Sequence, residues 1–142
     1  SKEKLDFINL GNLDASRDWG FAPEYVEGMY RMMQHNRPDT FVFATNKSYT
    51  VREFTELAFK VVDIDIGWEG SGLNERGINK KTGKTLVKVD KELFRLAEVD
   101  ALIGDYGKAE KDLGWSPKTD LEKICQIMVE SDLDALLTNL KN

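Results

Sequence analysis

The chain has 142 residues, 41% hydrophobic and 32% charged, with a formal net charge of -5. That mix is globular rather than disordered, the length fits one domain over residues 1–142, and the acidic balance argues against nonspecific nucleic-acid binding. A single cysteine, Cys125, allows no internal disulfide, and no apolar run approaches the ~20 residues that span a bilayer. The charged start Ser1-Lys2-Glu3-Lys4 does not read as a signal peptide, so a cytoplasmic setting is expected, with no membrane partner.

Residues 5–10 read as a short strand through Leu5, Phe7 and Ile8. Pro23 suits the first turn of a helix, where its missing N–H costs nothing, and Tyr25, Val26, Met29, Tyr30, Met32 and Met33 follow at helical spacing. Pro38-Asp39 is a turn, and Phe41-Val42-Phe43-Ala44 reads as a compact buried strand. Thr50-Val51-Arg52-Glu53 has the form of a capping box, opening a helix with the stripe Phe54, Leu57, Ala58, Val61 and Val62. Ile64, Ile66 and Trp68 alternate as in a strand. Residues 67–83 carry Gly70, Gly72, Gly77 and Gly83 and read as a long loop, with residues 86–89 a strand on its far side. Residues 106–113 form a short helix ended by Gly114. Thr119-Asp120-Leu121-Glu122 reads as a second capping box, before a long amphipathic helix through Leu121, Ile124, Cys125, Met128, Val129, Leu133, Leu136 and Leu137. The sum is a mixed α/β layer with short strands.

Several kinds of chemistry have no support. The sequence holds no G-x-G-x-x-G dinucleotide fingerprint, no phosphate-binding P-loop and no Tyr-x-x-x-Lys pair. One histidine, His35, and one cysteine make no zinc site of the usual kind, and Cys125 lies on an apolar helix stripe, as a structural thiol does. Glu69, Glu75 and Glu92 read as solvated loop charges, as do Lys80, Lys81 and Lys84.

Two constellations could bind an anion. Arg17, in Arg17-Asp18-Trp19, follows the first strand and precedes a helix, where an arginine can fork onto a diphosphate; the alternative is an Arg17–Asp18 surface pair. Arg95 and Glu98, in residues 94–99, are three apart. They could meet phosphate and the guanine N1–H edge, or simply pair with each other. On the residues alone the ion pairs are the commoner outcome in both cases.

The strings GNLDASRDWGFAPEYVEGM, TVREF, FRLAEVD, GD-x-x-KAE-x-x-LGW-x-P and MVE-x-DLD, in this order, resemble GDP-mannose 4,6-dehydratases. The last two are similar to extended short-chain dehydrogenases generally. The first and third are sharper. The resemblance covers residues 5–137 and implies the small mixed α/β substrate-binding region of an extended short-chain dehydrogenase, lacking the N-terminal Rossmann domain. In the family that domain binds NADP and carries the catalytic Tyr-x-x-x-Lys, Thr or Ser, and Glu. The enzyme converts GDP-mannose to GDP-4-keto-6-deoxymannose and water, a step toward fucose and rhamnose-type sugars. No catalytic or NADP-binding position has a counterpart here, so this chain alone is expected to be inactive and to carry no cofactor.

What the resemblance transfers is binding. It implies that Arg17 contacts the diphosphate and that Arg95 and Glu98 hold the GDP moiety. Leu96 stands where the family usually has proline, which frees one backbone N–H and one φ angle. The implied partners are GDP-mannose or a related GDP-sugar, an N-terminal Rossmann half, and further copies in a homo-oligomer. Rival readings are another nucleotide-sugar dehydratase, epimerase or reductase, or a noncatalytic interaction domain.

Overall fold

The structure, a computed structural model, describes residues 6–95 and 103–140. Its contacts divide the chain into two units: residues 1–15 with 50–99, and residues 16–49 with 100–142.

The first unit is a four-stranded sheet with one helix. Strands β1 (Ile8–Leu10), β6 (Thr85–Val89), β5 (Arg76–Asn79) and β4 (Ile66–Glu69) lie side by side in that order. β1 runs parallel to β6, with Ile8 opposite Val87, and the other pairs are antiparallel. Leu13, Ala15, Ile66 and Val87 are buried. Helix α2 (Val51–Lys60) begins with the expected capping box. Glu53 N–H donates to Thr50 Oγ1 at 3.1 Å, and Thr50 N–H donates back to Glu53 Oε2 at 2.6 Å. Arg52, in the first turn, donates to Glu75 and, at 2.8 Å, to Asp14, and its guanidinium lies 4.8 Å from the Trp68 ring centroid. Burial opposes its charge, but the bond to Glu75 outweighs that and raises the guanidinium pKa further. Glu56 accepts from Trp68 Nε1 at 2.6 Å. Side chains of α2 thus reach the β4–β5 region from two successive turns.

The capping box also has a pH signature. The bonds donated by Thr50 N–H and Oγ1–H hold the Glu53 carboxyl below its ordinary value of 4.5. A depressed carboxylate stabilises the fold fully above its unfolded pKa, and the benefit disappears as pH falls through its lowered folded value. Glu53 is largely exposed, so the pH-linked part is small. Thr50→Ala is expected to cost about 1 kcal/mol at neutral pH. Glu53→Gln should flatten the acid side of the stability profile below pH 4.5, as read by urea unfolding across pH. An unchanged acid limb in that variant would contradict this assignment.

The expected long loop at residues 67–83 is instead broken up by two strands. It contains most of β4, the single 3-10 turn Gly72–Asn74, all of β5, and the start of the β5–β6 hairpin. Gly77 is the reason for the misreading. It sits opposite both Trp68 and Val87, and a Cβ there would lie 3.0 Å from Val87 Cβ and 3.1 Å from the Trp68 ring. Glycine serves here for close approach within a sheet, not for a turn. The carboxylate expectation also changes: Glu75 is paired with Arg52, its side chain only 13% exposed, while Glu69 pairs with Arg76 at 2.8 Å. Lys80 and Lys84, at the hairpin, pair with Asp65 and Asp6.

The second unit is built around Trp115, which is 2% exposed. Strands β2 (Ser16–Arg17) and β3 (Tyr49–Thr50) form a two-stranded sheet. The helices are α1 (Ala22–Met33), with Pro23 in its first turn, α3 (Gly107–Leu113) and α4 (Leu121–Leu140). Tyr25, Phe43 and Tyr106 each meet the Trp115 ring edge to face, at centroid separations of 5.8, 4.8 and 6.1 Å. Trp115 Nε1 donates to the Glu24 carbonyl at 2.6 Å. Gly114 ends α3 at φ 63°, and Arg31, in the last turn of α1, donates to its carbonyl at 2.5 Å. A cation at a helix C-terminus also favours the dipole. Cys125 is buried, and burial pushes its thiol pKa up, as in an inert structural cysteine.

Two expectations in this unit are corrected. Thr119 does not cap α4. Its hydroxyl is committed to Glu24 Oε1 at 2.6 Å, and Asp120, one residue later, accepts from Lys123 N–H at 2.9 Å. Asp120 is therefore the N-cap, a role its short carboxylate suits as well as a threonine hydroxyl. Residues 41–44 carry no strand ladder, because no described strand lies beside them to accept their main-chain bonds. Phe43 and Ala44 are still turned inward, while Val42 is 50% exposed.

Candidate ligand-binding site

Arg17 is exposed at the end of β2. Its Nη1 donates to the Ser16 carbonyl at 2.7 Å. The next residue is held from another part of the unit. The Asp18 carboxylate accepts from Thr45 N–H at 3.0 and 2.9 Å, and from Thr45 Oγ1–H at 2.7 Å. The sequence reading missed this clamp, because a 27-residue separation leaves no local signal. Trp19 then turns inward, half-buried, and Phe21 precedes the first residue of α1.

Arg95 belongs to the first unit and is also exposed. It follows a turn made by Asp90, whose side chain accepts from Glu92 N–H at 2.8 Å and whose carbonyl accepts from Leu93 N–H at 3.2 Å. Asp90 N–H donates to the Leu10 carbonyl at 2.8 Å, anchoring the turn at the end of β1. The segment leading to Arg95 is therefore set by sheet edge and turn together. Glu98 lies outside the described residues. Arg17 and Arg95 stand in different units, each positioned by its own local geometry.

A half-open cleft of about 170 Å³ in the second unit is lined by Trp19, Thr45, Tyr49, Tyr106, Lys118 and Asp120, among others. It is smaller than the ~300 Å³ at which small-molecule sites begin, so it does not by itself house a nucleotide sugar.

Acid–base chemistry finds no support among the described residues. Burial, then the negative charges of Asp18 and Glu24, push the Tyr25 phenol above its ordinary value. A catalytic tyrosine working near neutral pH needs the opposite shift. No group of three His, Cys, Asp or Glu among the described residues could hold a metal ion. The Gly70–Gly72 segment is not a dinucleotide cradle. The one G-x-G, Gly70-Ser71-Gly72, follows β4, but Glu75 stands at the third glycine position and a single 3-10 turn replaces the helix. No helix among the described residues is long and apolar enough to cross a membrane.

Comparison with known proteins decides the family. The GDP-mannose 4,6 dehydratase family model matches residues 1–128. The chain belongs to that family. A GDP-mannose 4,6-dehydratase of Sinorhizobium fredii is 47% identical over 133 residues, covering 94% of this chain and 38% of the relative. The human GDP-mannose 4,6 dehydratase is 44% identical over 136 residues, covering 96% and 37%. The chain thus spans little more than a third of the length of the curated relatives it matches.

Solved structures agree on the fold. The RMD of Pseudomonas aeruginosa, complexed with NADPH, superposes with a TM-score of 0.67 at 15% identity, over 89% of this chain and 36% of that one. A UDP-glucose 4-epimerase of Thermotoga maritima, solved with UDP-glucose, gives 0.65 at 21% identity, over 92% and 36%. The fold is that of part of an extended short-chain dehydrogenase/reductase, mixed α/β, as the resemblance implied.

Proposed function

We propose that residues 1–142 are the substrate-binding domain of a GDP-mannose 4,6-dehydratase, the part that grips the GDP end of GDP-mannose or a related GDP-sugar. The observation that carries this reading is the family match over residues 1–128, which includes both arginines of the expected grip. Arg17 contacts the diphosphate, and Arg95 and Glu98 hold the GDP moiety. Each arginine stands exposed beside an ordered element, where a planar guanidinium can fork onto phosphate oxygens.

The NADP-dependent chemistry is assigned to a Rossmann half, in the same polypeptide or supplied separately, since the dinucleotide fingerprint and the Tyr-x-x-x-Lys pair are both missing from these residues. This chain's own residues bind and orient; they move no proton. Product formed from GDP-mannose and NADP by these residues alone would contradict that division. The exposed stripe Val26, Met29, Tyr30 and Met33 on α1, at spacings that share one helix face, supports a covering partner. We assign that face to the Rossmann half of the same enzyme, within a homo-oligomer in the cytoplasm.

The direct test is a calorimetric titration with GDP. Arg95→Ala is expected to weaken binding about 10- to 100-fold, the usual worth of a charge-assisted hydrogen bond. Equal affinity in wild type and variant would remove Arg95 from the site.

A further inference from the structure

We infer that Asp18 is a positioning residue for Arg17, its Thr45-bound carboxylate fixing where the guanidinium meets an anionic diphosphate. This deepens the reading of Arg17 given above and rests on it. β2 is only two residues long, and so short a ladder holds little backbone by itself. The clamp supplies the rest. Three hydrogen bonds converge on one carboxylate from a single residue, all of them charge-assisted. Thr45 is itself braced: its Oγ1 lies 3.3 Å from both the N–H and the carbonyl of Lys47, across Asn46, which sits at φ 60°. The main chain directly after Arg17 is therefore pinned to a small polar turn, and the reach of the arginine starts from a fixed point.

A simpler electrostatic view predicts the opposite sign. Asp18 places a negative charge one residue from a cation that meets a diphosphate. Removing that charge should raise the local positive potential and tighten anion binding. Positioning predicts weaker binding, because a displaced guanidinium loses its two-point contact. The direction of the change separates the two.

The experiment is a double-mutant cycle by calorimetric titration of GDP into the 142-residue chain, comparing wild type, Arg17→Ala, Asp18→Ala and the double variant. Melting temperatures establish that each is folded. Asp18→Ala is expected to weaken GDP binding about tenfold in the presence of Arg17, and by less than about twofold in its absence. Thr45→Val removes only the hydroxyl bond, leaves the N–H bonds in place, and should show a smaller loss of the same pattern. It carries the test if Asp18→Ala fails to fold. Unchanged or tighter binding in Asp18→Ala, or losses that multiply in the double variant, would overturn the proposal. If Arg17→Ala binds GDP as wild type does, or wild type binds none, the diphosphate reading of Arg17 itself falls, and the positioning role with it.

Discussion

Trp115→Ala should destabilise the chain by about 3–5 kcal/mol, the usual range for removing a buried tryptophan or phenylalanine side chain. Trp115 is 2% exposed and meets three aromatic rings edge to face. No neighbouring side chain can refill that space, because Tyr25, Phe43 and Tyr106 already approach from different elements. The variant also removes the donor to the Glu24 carbonyl, adding an unmet hydrogen bond of about 1 kcal/mol. Against a domain stability of about 5–15 kcal/mol, the loss is a large fraction. Trp115→Phe keeps ring contact, loses the donor, and should fall between. Urea unfolding measures both. A loss under about 1 kcal/mol for Trp115→Ala would mean that the second unit has no such centre.

The second large effect lies in the sheet of the first unit. Gly77→Ala gains about 0.4–1 kcal/mol by restricting the unfolded chain. It also drives a methyl against Val87, which is fully buried, and against the Trp68 ring. Overpacking costs about 1–3 kcal/mol, so the steric term wins and the variant is destabilised. Val87→Ala alone should cost about 2 kcal/mol through its cavity. Combined, Val87→Ala removes the Cγ2 contact at 3.2 Å but keeps the Cβ at 3.0 Å and leaves the Trp68 ring in place, so relief is partial and the double variant should lose somewhat less than the sum of the singles. Simple additivity in thermal melts would show that the two positions do not share space.

Sequence patterning revealed some elements and concealed others, for identifiable reasons. The Thr50–Glu53 box and the Gly114 stop are local signals, and both stand where the pattern puts them. Residues 67–83 look irregular because Gly70, Gly72 and Gly83 do sit at positive φ outside the strands, whereas Gly77 answers to Val87 and Trp68 on two neighbouring strands. Residues 41–44 looked like a strand because their apolarity is intrinsic, but a ladder needs a neighbour. Thr119 looked like a cap until Glu24, distant in sequence, claimed its hydroxyl.

The proposed site follows the same rule. The motifs from which Arg17 and Arg95 are proposed were legible in the sequence. The Asp18–Thr45 clamp and the Arg52 cluster with Asp14 and Glu75 were not, since their partners are joined only by the fold. Arg52 stood in a quoted motif, yet nothing local announced its two carboxylate partners.

The most direct test of the central claim is a calorimetric titration of the wild-type chain with GDP, with CDP as the control. A guanine-selective grip predicts heat on adding GDP and none on adding CDP at the same concentration, with the GDP signal reduced in Arg95→Ala. Equal binding of the two nucleotides, or binding of neither, would contradict the assignment of these residues as a GDP-sugar grip.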